Sequence, residues 1–399
     1  MRIRHITFSS VGGAGMVANR MVRAQQSMGI DSQLLTEVDG SIGIETVTRP
    51  LLFFSAVFDF FIVRRSLKNP LFSLYRTSRS SVTENLFECD DVVHLHWTPG
   101  VVDIETMHRI LNRTSGCVWT LHDMWAITGG CHHSVDCFQY SEECRSCPQV
   151  KKVFQKVVAT NLKIKQRTFS DANNLRVVCP SSWLRAHVDR SKIFGSSLVD
   201  VIYNPVPREY FSSFKTQVPK TYSNDIVVCF IANDINDPNK NLYQVVQAVD
   251  NANERLTDSP GRIILQVIGN GEIKTTSSHV EFIGHVNAAS RMASLISNAD
   301  LLINFSESEN FPNVIAESLA CGTPVIGRNV GGIPELIRDG ETGYLVTSIS
   351  EVVDYLVALH ADRVKIEQMS KTSHLWALDN LEEKAIMEKY ADLYLSLVN

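Results

Sequence analysis

The sequence has no long apolar run, no large excess of charge of one sign and no short internal repeat. Its most apolar stretch, 51–63, is interrupted by Ser55 and Asp59 and falls short of the ~20 residues that a helix needs to cross a bilayer. A net charge of −5 supplies no global attraction to polyanions, which removes nucleic acid from the expected partners. The absence of a repeat removes a solenoid. Met1 runs directly into 2–8, which reads as a first strand and lacks the apolar core and small-residue cleavage site of a signal peptide, so the expected location is cytoplasmic. Nine cysteines, an odd number, then read as buried thiols or metal ligands rather than a disulfide framework.

What is present is a chain of 399 residues, more than one hydrophobic core usually fills, so two domains are expected. Short β-branched runs at 3–8, 33–36, 92–95, 117–120 and 176–178 alternate with helical stretches, as parallel strands with crossover helices do. Asn204, Pro205, Val206 and Pro207 interrupt the pattern. It resumes with strands at 226–231, 263–268, 280–283, 301–304, 324–326 and 344–346. The fold class is therefore α/β, two Rossmann-like doubly wound domains expected to face a central cleft. We place the first at 1–205 with a cysteine-rich insertion at 129–148, the second at 206–375, and a C-terminal helix at 376–399 returning to the first domain. Leu381, Ala385, Ile386, Leu393, Tyr394 and Leu397 supply that helix with an apolar face.

Ligands of such sheets bind beyond the carboxyl ends of the strands, so residues that follow strands carry the functional argument. Between two second-half strands lie Glu309, Asn310, Phe311, Pro312, Asn313 and Glu317, with Gly322 closing the segment. Pro312 suits a helix start and Gly322 its end. Glu309 is thus expected in the preceding loop and Glu317 on the helix, with a diphosphate site at the helix start between them. Gly331 and Gly332 offer a second place where bare backbone approaches phosphate. In the first half, Gly13 and Gly15 lie between a strand and a helix expected from Met16, and with Ala18 they also satisfy the dinucleotide fingerprint of nicotinamide enzymes. His96, His122, Asp123 and Trp125 follow two other strands.

These residues resemble glycosyltransferase family 4, whose glutamate, seven residues, glutamate signature is matched by Glu309 and Glu317. The resemblance covers nearly the whole chain and is most specific from Asp300 to Val346. It implies a retaining enzyme of the GT-B fold, of the bacterial polysaccharide and O-antigen type, moving sugar from a UDP- or GDP-sugar donor to a glycan or lipid-linked acceptor. It implies further that Glu317 accepts hydrogen bonds from donor ribose and that Glu309 contacts the transferred sugar. His122 would line the reaction centre, Asp123, Trp125 and His96 would stand on the acceptor side, and Gly13 and Gly15 would serve donor phosphate and acceptor. Lys240 is family-like, and an ion pair at about 4 Å with an effective dielectric near 20 contributes roughly 4 kcal/mol toward a departing diphosphate. Many relatives carry an arginine a few residues earlier, where this chain has Ala232 and Asn233; Arg328 is a candidate substitute. No catalytic metal is expected. A nucleotide-sugar epimerase or hydrolase, or a non-catalytic nucleotide-sugar-binding protein, uses the same binding residues and remains an alternative.

Two features stand apart. Cys131, Cys137, Cys144 and Cys147, with His132 and His133 alongside, have the spacing of a structural zinc site, with buried thiols or a disulfide as the other readings. Between Arg49 and Arg79 there are six basic side chains and one acidic one around the apolar run, either an interfacial segment at the inner face of the membrane or a core helix with a solvated basic end.

Overall fold

The computed structural model describes residues 1–36, 72–74, 82, 84–134, 136–195, 197–214 and 224–398. The apolar run 51–63 and its basic neighbours therefore lie outside the described residues. The chain divides into two compact units, Met1–Tyr203 with Lys384–Asn399, and Asn204–Glu383. Each contains one six-stranded sheet.

Unit 1 is built from β1 Arg2–Thr7, α1 Gly12–Ser27, β2 Asp31–Thr36, β3 Asp91–Leu95, α2 Ile104–Arg113, β4 Gly116–Thr120, α3 Gln155–Phe169, β5 Leu175–Cys179, α4 Ser182–Ser191 and β6 Leu198–Val201. The strands are parallel in the order β2-β1-β3-β4-β5-β6. Alternation along each strand sends Ile6, Val93, Leu95, Trp119 and Val177 into one core. Ile3, Val92, Val118 and Val178 enter the other, against Val17 and Met21 of α1. α1 starts four residues before the expected Met16. A Cβ on Gly15 would sit 2.0 Å from the Ser9 carbonyl oxygen, so its bareness lets the first turn wind tightly under the loop from β1.

Unit 2 contains α5 Arg208–Ser212, β7 Ile226–Asp234, α6 Leu242–Arg255, β8 Ile263–Asn270, β9 Val280–Gly284, α7 Ala289–Asn298, β10 Leu301–Asn304, α8 Asn313–Ala320, β11 Val325–Arg328, α9 Ile333–Leu336, β12 Gly343–Val346, α10 Ile349–Ala361 and α11 Arg363–Leu381. Its parallel order is β12-β11-β10-β7-β8-β9. The core gathers Ile226, Val228 and Phe230 of β7 with Val245 and Val249 of α6 and Val352 and Leu356 of α10.

At Glu382 the backbone turns extended, with φ −61° and ψ 130°, and α12 Glu383–Val398 follows. Ile386, Met387, Tyr390, Leu393 and Tyr394 of α12 cover the unit 1 sheet face that also carries Ile3 and Val92. From Lys384 onward α12 belongs to unit 1. Met387 and Tyr390 join its buried face, while Ala385 is exposed.

In each sheet the first strand lies inside, β1 between β2 and β3, and β7 between β8 and β10. The chain leaves to one side and returns on the other. Loops after β1 and β3, and after β7 and β10, consequently diverge and leave room at the strand ends.

Candidate functional site

In unit 2 the two loops at the switch point supply Lys240 and Glu309. Lys240 ends a short 3₁₀ turn, Pro238–Lys240, that Asp237 caps by accepting from Asn239 N. Asn241 then takes a left-handed conformation, φ 57°, before α6 begins. Lys240 Nζ donates to Glu309 Oε1 at 2.5 Å. Burial pulls the Lys240 ammonium down, but the Glu309 carboxylate outweighs it and raises the pKa. Glu309 is fixed from the other side: Gly332 N donates to its carbonyl at 3.0 Å. Gly331, at φ +58°, comes so near that a Cβ would lie 1.9 Å from that oxygen. The bare backbone at Gly331 and Gly332 therefore meets the Glu309 loop, where the sequence suggested phosphate.

Pro312 is the N-cap of α8, which among the described residues has no side-chain cap and no acidic residue in its first turn. Ile315 N turns back to the Pro312 carbonyl at 3.0 Å, and the start of the helix carries the positive end of its dipole, which favours an anion. Asn310, Phe311 and Glu317 are buried, and Asn313 Oδ1 accepts from Asn204 Nδ2 at 2.9 Å. Arg328 pairs with Glu307 and lies 4.9 Å over the Phe305 ring. Glu307 also accepts from Asn241 at 2.7 Å. Burial raises the Glu307 carboxyl, and the hydrogen bonds from Arg328 and Asn241 outweigh this and lower it. Arg328 is thereby committed to the same loop as Glu309.

In unit 1 a narrow recess is lined by His96, Trp97, His122, Asp123 and Trp125. Asp123 lies at its edge with three donors: Trp97 Nε1 at 2.9 Å, Trp125 N at 2.8 Å and His132 Nδ1 at 2.6 Å. Burial alone would raise this carboxyl, but His132 and the Trp125 amide hold it down to about 2. Asp123 is a fixed anion that organises the loop. Trp125 is 3% exposed and donates to Ser73 O at 2.8 Å; His96 is 2% exposed. Both support the recess from behind, and His122 is its half-buried imidazole. Lys165, buried on α3, donates to the Trp125 and Thr128 carbonyls and lies 3.7 Å over the Trp125 ring. Burial pushes its pKa down to about 7. Gly15 is occupied by its own chain at Ser9, whereas a Cβ on Gly13 would meet nothing within 4 Å.

His96 Nδ1 lies 3.0 Å from His122 Nε2, and His96 Nε2 lies 2.9 Å from His5 Nδ1. His5 was not singled out by the sequence, nor was Gln25 behind it, 2.8 Å from His5 Nε2. The available signal was the alternation of His94 and His96, which places both on one strand face. Parallel register then pairs His5 with His94.

All nine cysteines are free thiols. Cys131, Cys144 and Cys147 are buried and Cys137 is half-buried. Burial pushes Cys131 up to about 12 and Cys144 to about 11, so both are protonated at neutral pH. Among the described residues, the set of three potential ligands whose atoms lie within 4.8 Å of one another is His5, His94 and His96. The four thiols are not so gathered, and a tetrahedral site would require them to draw together. No helix among the described residues is long and apolar enough to cross a membrane.

Residues 225–362 match the family described as Glycosyl transferases group 1. N-acetyl-alpha-D-glucosaminyl L-malate synthase of Bacillus anthracis is 30% identical over 208 residues, which cover 49% of this chain and 53% of that protein. The chain thus spans about half the length of this relative. Sucrose-phosphate synthase from Thermosynechococcus elongatus superposes with a TM-score of 0.66 at 16% identity, covering 99% of this chain and 98% of the other. HepE from Anabaena, crystallised with UDP and glucose, gives 0.60 at 15% identity, covering 99% and 100%. At such identities the superpositions establish the fold, which is GT-B-like over nearly the whole chain.

Proposed function

We propose that this chain, whose residues 225–362 match the glycosyl transferases group 1 family, moves a sugar from a nucleoside diphosphate sugar to an acceptor hydroxyl with retention of anomeric configuration. The observation that carries the reading is the Lys240–Glu309 pair at the switch point, with an uncapped helix start and a buried Glu317 directly after it. A diphosphate has the charge to compete with Glu309 for the Lys240 ammonium. Its arrival releases the carboxylate to accept from sugar hydroxyls, while the positive end of the α8 dipole faces phosphate oxygen. Glu317 is assigned the ribose hydroxyls. The names of HepE's ligands, UDP and glucose, favour a UDP-sugar over a GDP-sugar.

In the transfer, the bond from the anomeric carbon to the diphosphate oxygen breaks and one to the acceptor oxygen forms on the same face. The acceptor proton passes to the departing β-phosphate. Lys240 and the α8 dipole stabilise the charge that develops there. His122 of unit 1 is assigned an orienting hydrogen bond to the transferred sugar. For the acceptor we propose a glycan or a lipid-linked glycan of cell-surface polysaccharide assembly, supported by the mixture of basic and apolar residues in 49–79.

Replacing Glu317 with alanine is expected to weaken donor binding, read by calorimetric titration with UDP-sugars, whereas Lys240→Ala is expected chiefly to lower kcat. Wild-type kinetics from both variants would dismiss the assignment.

A further inference from the structure

We propose that Gln25, His5 and His96 are positioning residues that hold His122 as a neutral imidazole in one tautomer, protonated on Nε2, with the Nδ1 lone pair presented to a donor outside the network. The inference rests on the role given to His122 above and deepens it.

The direction of each proton follows from one amide. Gln25 Oε1 accepts from Ser32 Oγ at 2.6 Å and faces His5 Nε2 at 2.8 Å, while Gln25 Nε2 donates to Tyr394 OH at 3.0 Å. A carbonyl oxygen has no proton to give, so His5 carries its own on Nε2 and its Nδ1 accepts. His96 Nε2, 2.9 Å away, is then the donor. His96 Nδ1 in turn accepts from His122 Nε2 at 3.0 Å. Each step fixes the next, because a neutral imidazole has one donor and one acceptor. At the end of the series, His122 Nδ1 has no hydrogen-bond partner among the described residues.

A second branch explains why this array is not an open metal site, although His5, His94 and His96 place ligating atoms within 4.8 Å of one another. The Tyr394 hydroxyl donates to His94 Nδ1 at 2.7 Å, and His94 Nε2 donates to Thr120 Oγ1 at 2.8 Å. All six ring nitrogens are thereby in hydrogen bonds. Burial works in the same direction, since a proton added to any of them is a charge taken out of water. It holds His5 and His122 down to about 4, with Gln25 opposing it at His5 and Asp123 at His122.

The test is 15N-edited NMR on the full chain with labelled histidine, the His122 signal being assigned by its loss in His122→Ala. One tautomer, Nε2–H, is expected at neutral pH. An Nδ1–H signal, or an averaged mixture of both, overturns the proposal in the wild-type protein alone. His5→Leu removes the acceptor for His96. It is expected to turn the His122 signal into a mixture and to lower kcat about a hundredfold through misorientation, with KM for the donor unchanged. Gln25→Glu, which keeps an acceptor facing His5, is expected to retain the single tautomer. An unchanged His122 spectrum in His5→Leu also overturns the relay. Wild-type transfer by His122→Ala would instead overturn the role of His122 in the reaction, while the spectrum still decides the relay.

Discussion

A histidine buried without a counter-charge must stay neutral for the fold to persist, and His5, His94 and His96 are all shifted in that direction by burial. The unfolded chain binds protons at these positions near pH 6.5 whereas the folded chain does not until about pH 4 at His5. Between those values the unfolded state holds more protons, so stability rises with pH and is lost on acidification. For His5 the full loss is on the order of 3 kcal/mol. Asp123 acts in a different window: its folded value, about 2, lies below its ordinary 3.8, so its contribution is present above that range and disappears only in stronger acid. Urea denaturation at pH 7.5 and pH 5 is expected to show a clear fall in midpoint before carboxylates protonate, with a smaller fall in His5→Leu. Equal slopes in the two proteins would contradict the assignment. Lys240, Glu309 and Glu317 could be singled out as candidates because each sits in a recognisable local pattern beside a strand or helix end. His5 and Gln25 were not, since they meet His96 and each other only through strand register and helix packing.

At the scale of elements, the Glu309 loop is packed directly against a glycine. Gly331 holds a left-handed conformation against the Glu309 carbonyl, so Gly331→Ala is strained twice, by its backbone angles and by a contact no neighbour can relieve. Such strain costs about 1–3 kcal/mol. The expected result is a lower melting temperature together with weaker nucleotide-sugar binding, measured by scanning calorimetry with and without donor. Unaltered binding would show that the Glu309 loop does not depend on this contact. Apart from β6, the strands of both sheets followed from the alternation of apolar runs and helical segments, whereas their order did not. β6 escaped notice because Leu198–Val201 is an edge strand with largely exposed side chains, so burial leaves little imprint on its sequence. α1 began earlier than expected because three glycines in its first turn conceal a helix that packing, not propensity, sustains.

At the scale of the molecule, unit 1 is discontinuous in sequence: its first 203 residues require the last sixteen, Lys384–Asn399. The repeated grammar of the two halves disclosed two sheets, and the apolar face of the last helix disclosed that it docks; the hydrogen bonds that Tyr394 donates to His94 and accepts from Gln25 could not be read from either. Removing residues 384–399 is expected to unfold unit 1 while unit 2 keeps its cooperative transition. Five large side chains leave the core, each contributing about 1.5–3 kcal/mol, against a total stability of about 5–15 kcal/mol for a typical domain. A truncated chain retaining both transitions in calorimetry would refute this. On the ribosome the order of events is correspondingly inverted. The portion synthesised first has to wait, one side of its sheet only partly covered by α1, until the last helix has been made, so chaperone demand should concentrate on the leading portion of the nascent polypeptide.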